Sequence, residues 1–389
     1  MNKIIEQKLN EVGLKVPNIL LPKKGSDLTK FSCIAADQYT QDVNYWERVK
    51  NFIGDVYSTY NLIYPEAYME QELANNKDNF DKVLQNKITS INQNMKAYIN
   101  DGVYEDIGES FIYVERMTSS GIRKGLVVAI DLEKYDYNKG AKSLMRATEL
   151  TVKERLVVRK KIRENATLDI PHILVLIDDK NNSLFDIIKT KKDNAELEKV
   201  YDFDLMENGG HIFGYKISDD KTIESIADVL INLKKNSNDG LLYAVGDGNH
   251  SLAAAKDVYE ATGKCRYALV ELVNIHDKGL KFYPIHRLIM GVDEKEFTDA
   301  TGINPKSPLP LQDMQELLDK FGFKIDYIHG KDECIELASK GKNVAIVYDE
   351  FSHETLFDDV VKHGSLCRKS FSIGEAQDKR FYLEAQKIY

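Results

Sequence analysis

The apolar positions of this 389-residue chain change period several times, and each change predicts an element. Leu241 to Val245 is an unbroken run of five apolar or aromatic residues. That is the texture of a short strand covered on both faces. Gly246-Asp247-Gly248-Asn249-His250 interrupts it, and Ser251 opens a stretch of good helix formers, Leu252 to Lys256. Further strands are predicted at IPHILVLIDD (170–179), with His172 near its start, at GGHIFGYKI (209–217) and at CRYALVELVNI (265–275). Phe111–Met117 and Gly125–Leu132 flank a polar SSGIRK and predict an antiparallel hairpin. Helical spacing recurs over 66–100, through Leu73, Phe80, Leu84, Ile88, Ile91, Met95 and Tyr98, and over Thr222–Lys234. Asp42 or Asn44 can cap a helix running to about Tyr57, with Trp46 and Val49 on one face.

Past residue 290 the pattern shifts. PKSPLP (305–310) is a bend. Helices at 312–322 and 331–340 then alternate with strands at 324–328 and 343–349, and EAQDKRFYLEAQKIY (375–389) reads as a final helix. The prediction is an α+β fold. A main domain over 1–290 carries a mixed sheet with flanking helices, and a small α/β lobe over 291–389 acts as a lid or a dimerisation surface.

Composition narrows the function. A hydrophobic fraction of 43% and a charged fraction of 30% suit a globular domain with a substantial core. The net charge of −9 argues against nucleic-acid binding, which draws its affinity from basic surface. No apolar run approaches the roughly 20 residues of a membrane span, and MNKIIEQKLNEVG lacks a secretory apolar core. Cys33, Cys265, Cys334 and Cys367 are scattered, which fits reduced thiols in a cytoplasm. No His or Cys spacing predicts a structural metal.

The candidate chemistry lies at the break after Val245. A strand, a glycine turn and a helix N-terminus leave backbone N–H groups and the positive end of a helix dipole facing one small space. Gly246 and Gly248 allow close approach of a ligand, and Asp247, Asn249, His250 and Ser251 add a carboxylate, an amide, an imidazole and a hydroxyl. A dinucleotide fold is the rival, with Gly246-x-Gly248-x-x-Ser251 followed by Glu271 as the ribose acid. That acid falls mid-strand, however, and Asp247 sets negative charge where a pyrophosphate would lie.

Arg155, Arg159 and Arg163 recur every four residues and predict three guanidiniums along one helix face, suited to phosphate. Arg146, a further candidate phosphate ligand, and Glu149 precede them, and Glu149 is the preferred general base. Asp178-Asp179 closes a strand as a capped turn or a Mg²⁺ site, and Arg116 faces either solvent or a pocket.

These residues carry a resemblance. GDGNHS (246–251), CIAADQYTQDVNYW (33–46), RATELTVKERLVVRKKIR (146–163), IPHILVLIDD, GGHIFGY and FYPIHRLI (282–289) resemble the blocks of the Domain of Unknown Function 1015 family of bacterial proteins. The turn is also similar to that of the ParB/sulfiredoxin superfamily, which includes chromosome-partitioning CTPases, sulfiredoxin and free-serine kinases. The resemblance implies a sheet of that type and a phosphate-holding turn, with Ser251 standing where the superfamily usually has Arg. It also implies that Asp37-Gln38 lines the site and that Arg287, in the P-I-H-R block, is a further phosphate ligand. Proximity of similar members to serine-biosynthesis genes makes serine a candidate acceptor.

The resulting expectation is a cytoplasmic phosphotransferase acting on a small hydroxylated metabolite. Its donor is a nucleotide or pyrophosphate, with Mg²⁺ placed by Asp247, and its catalytic residues are Glu149, Asp247 and His250. A nucleotide-gated regulatory protein similar to ParB is the second expectation, and an NAD-dependent oxidoreductase the third.

Overall fold

The computed structural model describes residues 2–75 and 79–388. In chain order its central elements are β1 (Phe111–Thr118), β2 (Gly121–Asp131), β3 (Met145–Ala147), α1 (Leu156–Arg163) and β4 (Leu174–Ile177). They continue with β5 (Glu198–Asp204), β6 (His211–Ile217), α2 (Asp220–Asn236), β7 (Tyr243–Asp247), α3 (Asn249–Thr262) and β8 (Tyr267–Asn274). The strands form one mixed sheet in the order β5-β6-β1-β2-β8-β4-β7-β3, extended by Tyr135–Asp136 beyond β3 and by Leu14–Lys15 against β2. The expected hairpin is β1–β2, antiparallel and closing at Gly121.

Strand alternation explains the core. On β8, Ala268, Val270 and Leu272 join a cluster with Val175, Val245, Leu230 and Leu252, beneath α2 and α3. Leu269 faces the opposite cluster, built with Trp46, Ile88 and Phe381, and Val273 the adjoining one, with Leu174, Leu176 and Ala244. Both faces are covered, so β8 reads as a nearly continuous apolar run.

Helices Glu66–Asn75 and Phe80–Asn100 occupy the stretch predicted helical, and residues 76–78 lie outside the described residues. Asp42 caps the helix Val43–Ile53 by accepting the Tyr45 N–H at 3.1 Å. Gly54, at φ 63°, ends that helix before Tyr57. Among the described residues no helix is long and apolar enough to cross a membrane.

The dinucleotide rival does not match this sheet. β7 runs parallel to β3 but antiparallel to β4, and Glu271 lies in the sheet interior against Arg123 and Arg380.

The strand Phe282–Met290 is a beam between two bodies. Its first half pairs with Phe371–Ile373, and its second half with Lys324–His329 and Asn343–Ile346. Beyond it, Phe297, Met314, Leu318, Val344 and Ile346 pack with Ile289 into a small separate core. The chain then returns. Leu356, Phe357, Val360, Phe371 and Ile373 join the main sheet's cluster, and Phe381 to Leu383 and Ala385 reach the far face.

The C-terminal helix expected over 375–389 is not formed among the described residues, which end at 388. One short 3-10 turn at Ala376–Asp378 leads into an extended strap. The Ile34–Phe381 and Leu20–Ala385 bridges and the Gln386–Lys387 strand against Leu168–Asp169 lay it across the body. Buried charge holds it there. Arg380 meets Glu271 and Glu384, each at 2.7 Å, Tyr201 donates to Glu384 at 2.6 Å, and Arg123 donates to the Asp378 carbonyl at 2.8 Å. Arg116 belongs to this clamp, not to a pocket. Its guanidinium donates to the carbonyls of Gly209, Gln377 and Lys379.

Candidate phosphate site at the N-terminus of α3

β7 ends in a bulge at Gly246, between the Val245–Val175 and Asp247–Leu174 pairs. A Cβ on Gly246 would lie 2.8 Å from both Ile373 and Leu176 side chains. Gly248, at φ 80°, turns the chain into α3 against Ile173 and has no side chain with which to cap it. Ser251 and Leu252 donate back to the Gly248 carbonyl, while the Asn249 and His250 N–H groups have no acceptor among the described residues. The helix therefore begins at Asn249, two residues before the sequence pattern suggested, and presents two free donors at its positive end.

The side chains diverge from this point. Asn249 donates to the Val245 carbonyl at 3.3 Å and to Thr148 Oγ1 at 3.4 Å, so it secures the turn. His250 Nε2 accepts the Val152 N–H at 3.2 Å, a role open only to a neutral imidazole. Burial and the charges of Arg159, Arg155 and Arg368 push His250 down to about 4. Ser251 Oγ lies 3.1 Å from His172 Nε2. Asp247 accepts the Gly248 N–H at 3.1 Å and meets Lys379 Nζ at 3.2 Å.

Lys379 is the residue that sequence reasoning missed. The strap delivers it, nearly buried, and its carboxylate contact is Asp247.

A cavity of about 370 Å³ opens beside the turn. Asp37, His172, Ser251, Arg155 and Arg159 are among its polar lining, and Leu62, Met69, Met95 and Ile162 give it apolar walls. Burial raises the Asp37 carboxyl, but His172, Arg159, Gln38 and Lys379 outweigh it and hold the group down to about 2. Burial also lowers His172 against the opposing charges of Asp37 and Asp247.

The arginines expected at the site divide. Arg155 precedes α1 and forms no ion pair among the described residues, whereas Arg159, on α1, pairs with Glu66. Arg163 lies at the other end of α1, paired with Asp169 at 2.6 Å. Arg146 is not at the site. It is buried against the 238–240 turn, donating to the Ser143 and Asp239 carbonyls and pairing with the Asp239 carboxylate at 3.2 Å. Arg287 is also spent, on the Ile285, Arg368 and Lys369 carbonyls and on Gln315. It fixes the 367–370 loop instead of offering donors to a ligand.

That loop closes over Glu149, whose Oε1 accepts the Ser370 N–H at 3.0 Å. Burial raises the Glu149 carboxyl, while the Ser370 and Lys369 N–H groups and the charges of Lys369 and Arg287 work against the rise. Lys369 itself holds φ 58°, an uncommon conformation for a side-chain-bearing residue.

Mg²⁺ does not fit these residues as a preformed site. Asp247 faces an ammonium group, and no cluster of three or more His, Cys, Asp or Glu suited to a metal occurs among the described residues. Asp178 and Asp179 are engaged as well. Asp178 meets His276 at 2.6 Å, and Asp179 accepts the Leu184 N–H at 2.8 Å, so this pair forms a capped turn.

The low position of His250 sets a pH dependence. His329 is likewise pushed down to about 4, by burial and by Lys369, Lys379 and His286. An unfolded histidine titrates near 6.5. Between about 4 and 6.5 these two positions therefore bind more protons in the unfolded chain than in the folded one. The stability these neutral histidines contribute is complete above about 6.5 and is lost as the pH falls toward about 4. Thermal melts across that window should show the loss, and His250→Gln should flatten part of it. A parent melting temperature that does not move there would refute the assignment.

Comparison with known proteins places the chain. No curated protein matches it. Among solved structures it is similar to a conserved hypothetical protein from Pyrococcus furiosus, at 12% identity and TM-score 0.34, covering 67% of this chain and 94% of that one. It is similar also to a free serine kinase in complex with AMP, at 12% identity and TM-score 0.36, covering 66% and 90%. SbnI with a C-terminal truncation, from Staphylococcus aureus, matches at 12% identity and TM-score 0.33, covering 64% and 82%. A family model matches residues 20–347, most of the 389, and the chain thereby belongs to the family described as "Protein of unknown function (DUF1015)".

Proposed function

We propose that the chain is a cytoplasmic phosphotransferase that moves a phosphoryl group from a nucleotide or pyrophosphate to a small hydroxylated metabolite, with serine among the candidate acceptors. One observation carries the reading. The Asn249 and His250 N–H groups are free at the positive end of α3, Arg155 and Arg159 carry charge close to His250, Lys379 pairs with Asp247 on the same turn, and Ser251, Arg155 and Arg159 line a cavity of about 370 Å³ with apolar walls, a size that suits a nucleoside. Phosphoryl transfer needs little covalent help from a protein beyond positioning and charge stabilisation, and these are the groups that supply both.

In this reading the helix N-terminus holds the transferred phosphoryl group. Lys379 exchanges Asp247 for phosphate oxygens, and Arg155 and Arg159 carry the rest of the charge. Glu149 takes the proton of the acceptor hydroxyl, and its raised pKa favours that role. Any Mg²⁺ would enter with the donor's phosphates, and no step is assigned to it.

A thermal-shift panel of ATP, ADP, CTP, pyrophosphate and NAD, each with and without Mg²⁺, tests the reading. A donor present at a hundred times its dissociation constant should stabilise the protein by about 2.7 kcal/mol. Stabilisation by NAD alone would overturn the reading. A donor that binds while no hydroxyl compound is ever phosphorylated would leave a nucleotide-gated regulatory protein in its place.

A further inference from the structure

Ser251 and His172 come from distant parts of the chain and meet in the lining of the cavity. His172 precedes β4, and Ser251 is the third residue of α3. Ser251 Oγ and His172 Nε2 are 3.1 Å apart. Both line the cavity, and so does Asp37, a carboxylate held in its charged form next to the same imidazole. His172 stacks edge-on against Tyr382, ring centroids 5.2 Å apart. Arg380 donates to the carbonyl of Pro171, the preceding residue, at 2.6 Å. The ring thus packs against Tyr382, and the backbone leading into it is tied to Arg380. A hydroxyl within hydrogen-bond reach of a largely buried imidazole, with a carboxylate close by, is the arrangement that activates a nucleophile. Ser251 is also one residue beyond the two free N–H groups that would hold the phosphoryl group.

We propose that Ser251 is the covalent carrier of the reaction, phosphorylated by the donor and then dephosphorylated by the acceptor. This rests on the phosphotransferase reading above. In the first step Ser251 Oγ attacks the donor's terminal phosphorus. The Oγ–P bond forms, the bond from phosphorus to the leaving nucleotide or phosphate oxygen breaks with its electron pair, and the Ser251 proton passes to His172 Nε2. Asp37 stabilises the imidazolium so formed. In the second step the acceptor hydroxyl attacks the phosphoserine. Its O–P bond forms, the Oγ–P bond breaks, His172 returns its proton to Ser251, and the acceptor's own proton leaves through Glu149 to solvent.

The full-length protein is incubated without acceptor, with ATP or pyrophosphate labelled in the terminal phosphate. The expected result is label on the peptide containing Ser251. Label on added ADP, or on phosphate for the pyrophosphate reaction, should exchange into the donor pool, and addition of the acceptor should discharge the labelled protein. Ser251→Ala should lose labelling, exchange and transfer to background while still being stabilised by the donor, and Ser251→Thr should restore part of each. His172→Gln, which keeps the hydroxyl, should slow labelling by about 10²–10⁴-fold. Transfer to acceptor at the parental rate in Ser251→Ala, or turnover with neither label nor exchange, overturns the covalent carrier and leaves direct transfer. Label that acceptor never discharges overturns it too. Failure of ATP, ADP, CTP and pyrophosphate alike to bind overturns the phosphotransferase reading itself, and the inference with it.

Discussion

Arg380→Ala is expected to destabilise the protein by about 3–5 kcal/mol, because it breaks a buried ion network by removing one member. Glu384 would lose its Arg380 partner at 2.7 Å, and Glu271 would keep only Arg123, at 3.7 Å. Both carboxylates are essentially inaccessible to water. The Pro171 carbonyl would also lose its donor. The loss should extend to function. The strap that Arg380 anchors brings Lys379 to Asp247 and Tyr382 to His172. Denaturant melts measure the first effect, and the thermal shift with donor the second. Destabilisation under about 1 kcal/mol, with donor binding intact, would mean that the strap is held mainly by Phe381, Leu383 and Ala385.

Glu149→Gln is expected to lower turnover by about 10²–10⁴-fold with little change in donor affinity. The amide keeps the shape and can still accept the Ser370 N–H, so the fold should survive. Only the capacity to take a proton is removed. The raised Glu149 carboxyl adds a second signature. Turnover in the parent should climb as the pH rises through that group's pKa, since only the carboxylate accepts a proton, and the limb should vanish in the variant. Unchanged turnover would reduce Glu149 to an anchor for the 367–370 loop.

The sequence revealed these two regions unequally. Strands covered on both faces announced themselves, because β7 and β8 have no polar side to confuse the period. The turn after Val245 was legible for a local reason: two glycines and four functional side chains occupy six consecutive positions. The strap was misread although it held a signal. Phe381, Leu383 and Ala385 alternate with Arg380, Tyr382, Glu384 and Gln386, a period of two that suits an extended chain better than a helix. Charged residues normally mark solvent, and here Arg380 and Glu384 are buried only because they find each other and Glu271. Glu271 and Tyr201, and the Cys33 carbonyl that receives the Tyr382 N–H, lie far away in the chain, so no local window contains them.

The arginines failed for a related reason. Arg159 and Arg163 do share α1, but spacing does not show that both are already paired with carboxylates. Nor does it show that Arg287 is saturated by backbone carbonyls. Lys379 was invisible as a site residue because it reaches Asp247 only through the return of the C-terminal strap.

The central claim is that the N-terminus of α3, beneath Lys379, is a phosphate site. A crystal structure of the full chain with the donor identified by thermal shift tests it most directly. The account predicts the donor's terminal phosphate on the Asn249 and His250 N–H groups, with Lys379 Nζ moved from Asp247 onto a phosphate oxygen and the nucleoside along the apolar wall of Met69 and Ile162. A donor bound elsewhere, with Lys379 still on Asp247 and the helix N-terminus unfilled, would contradict it.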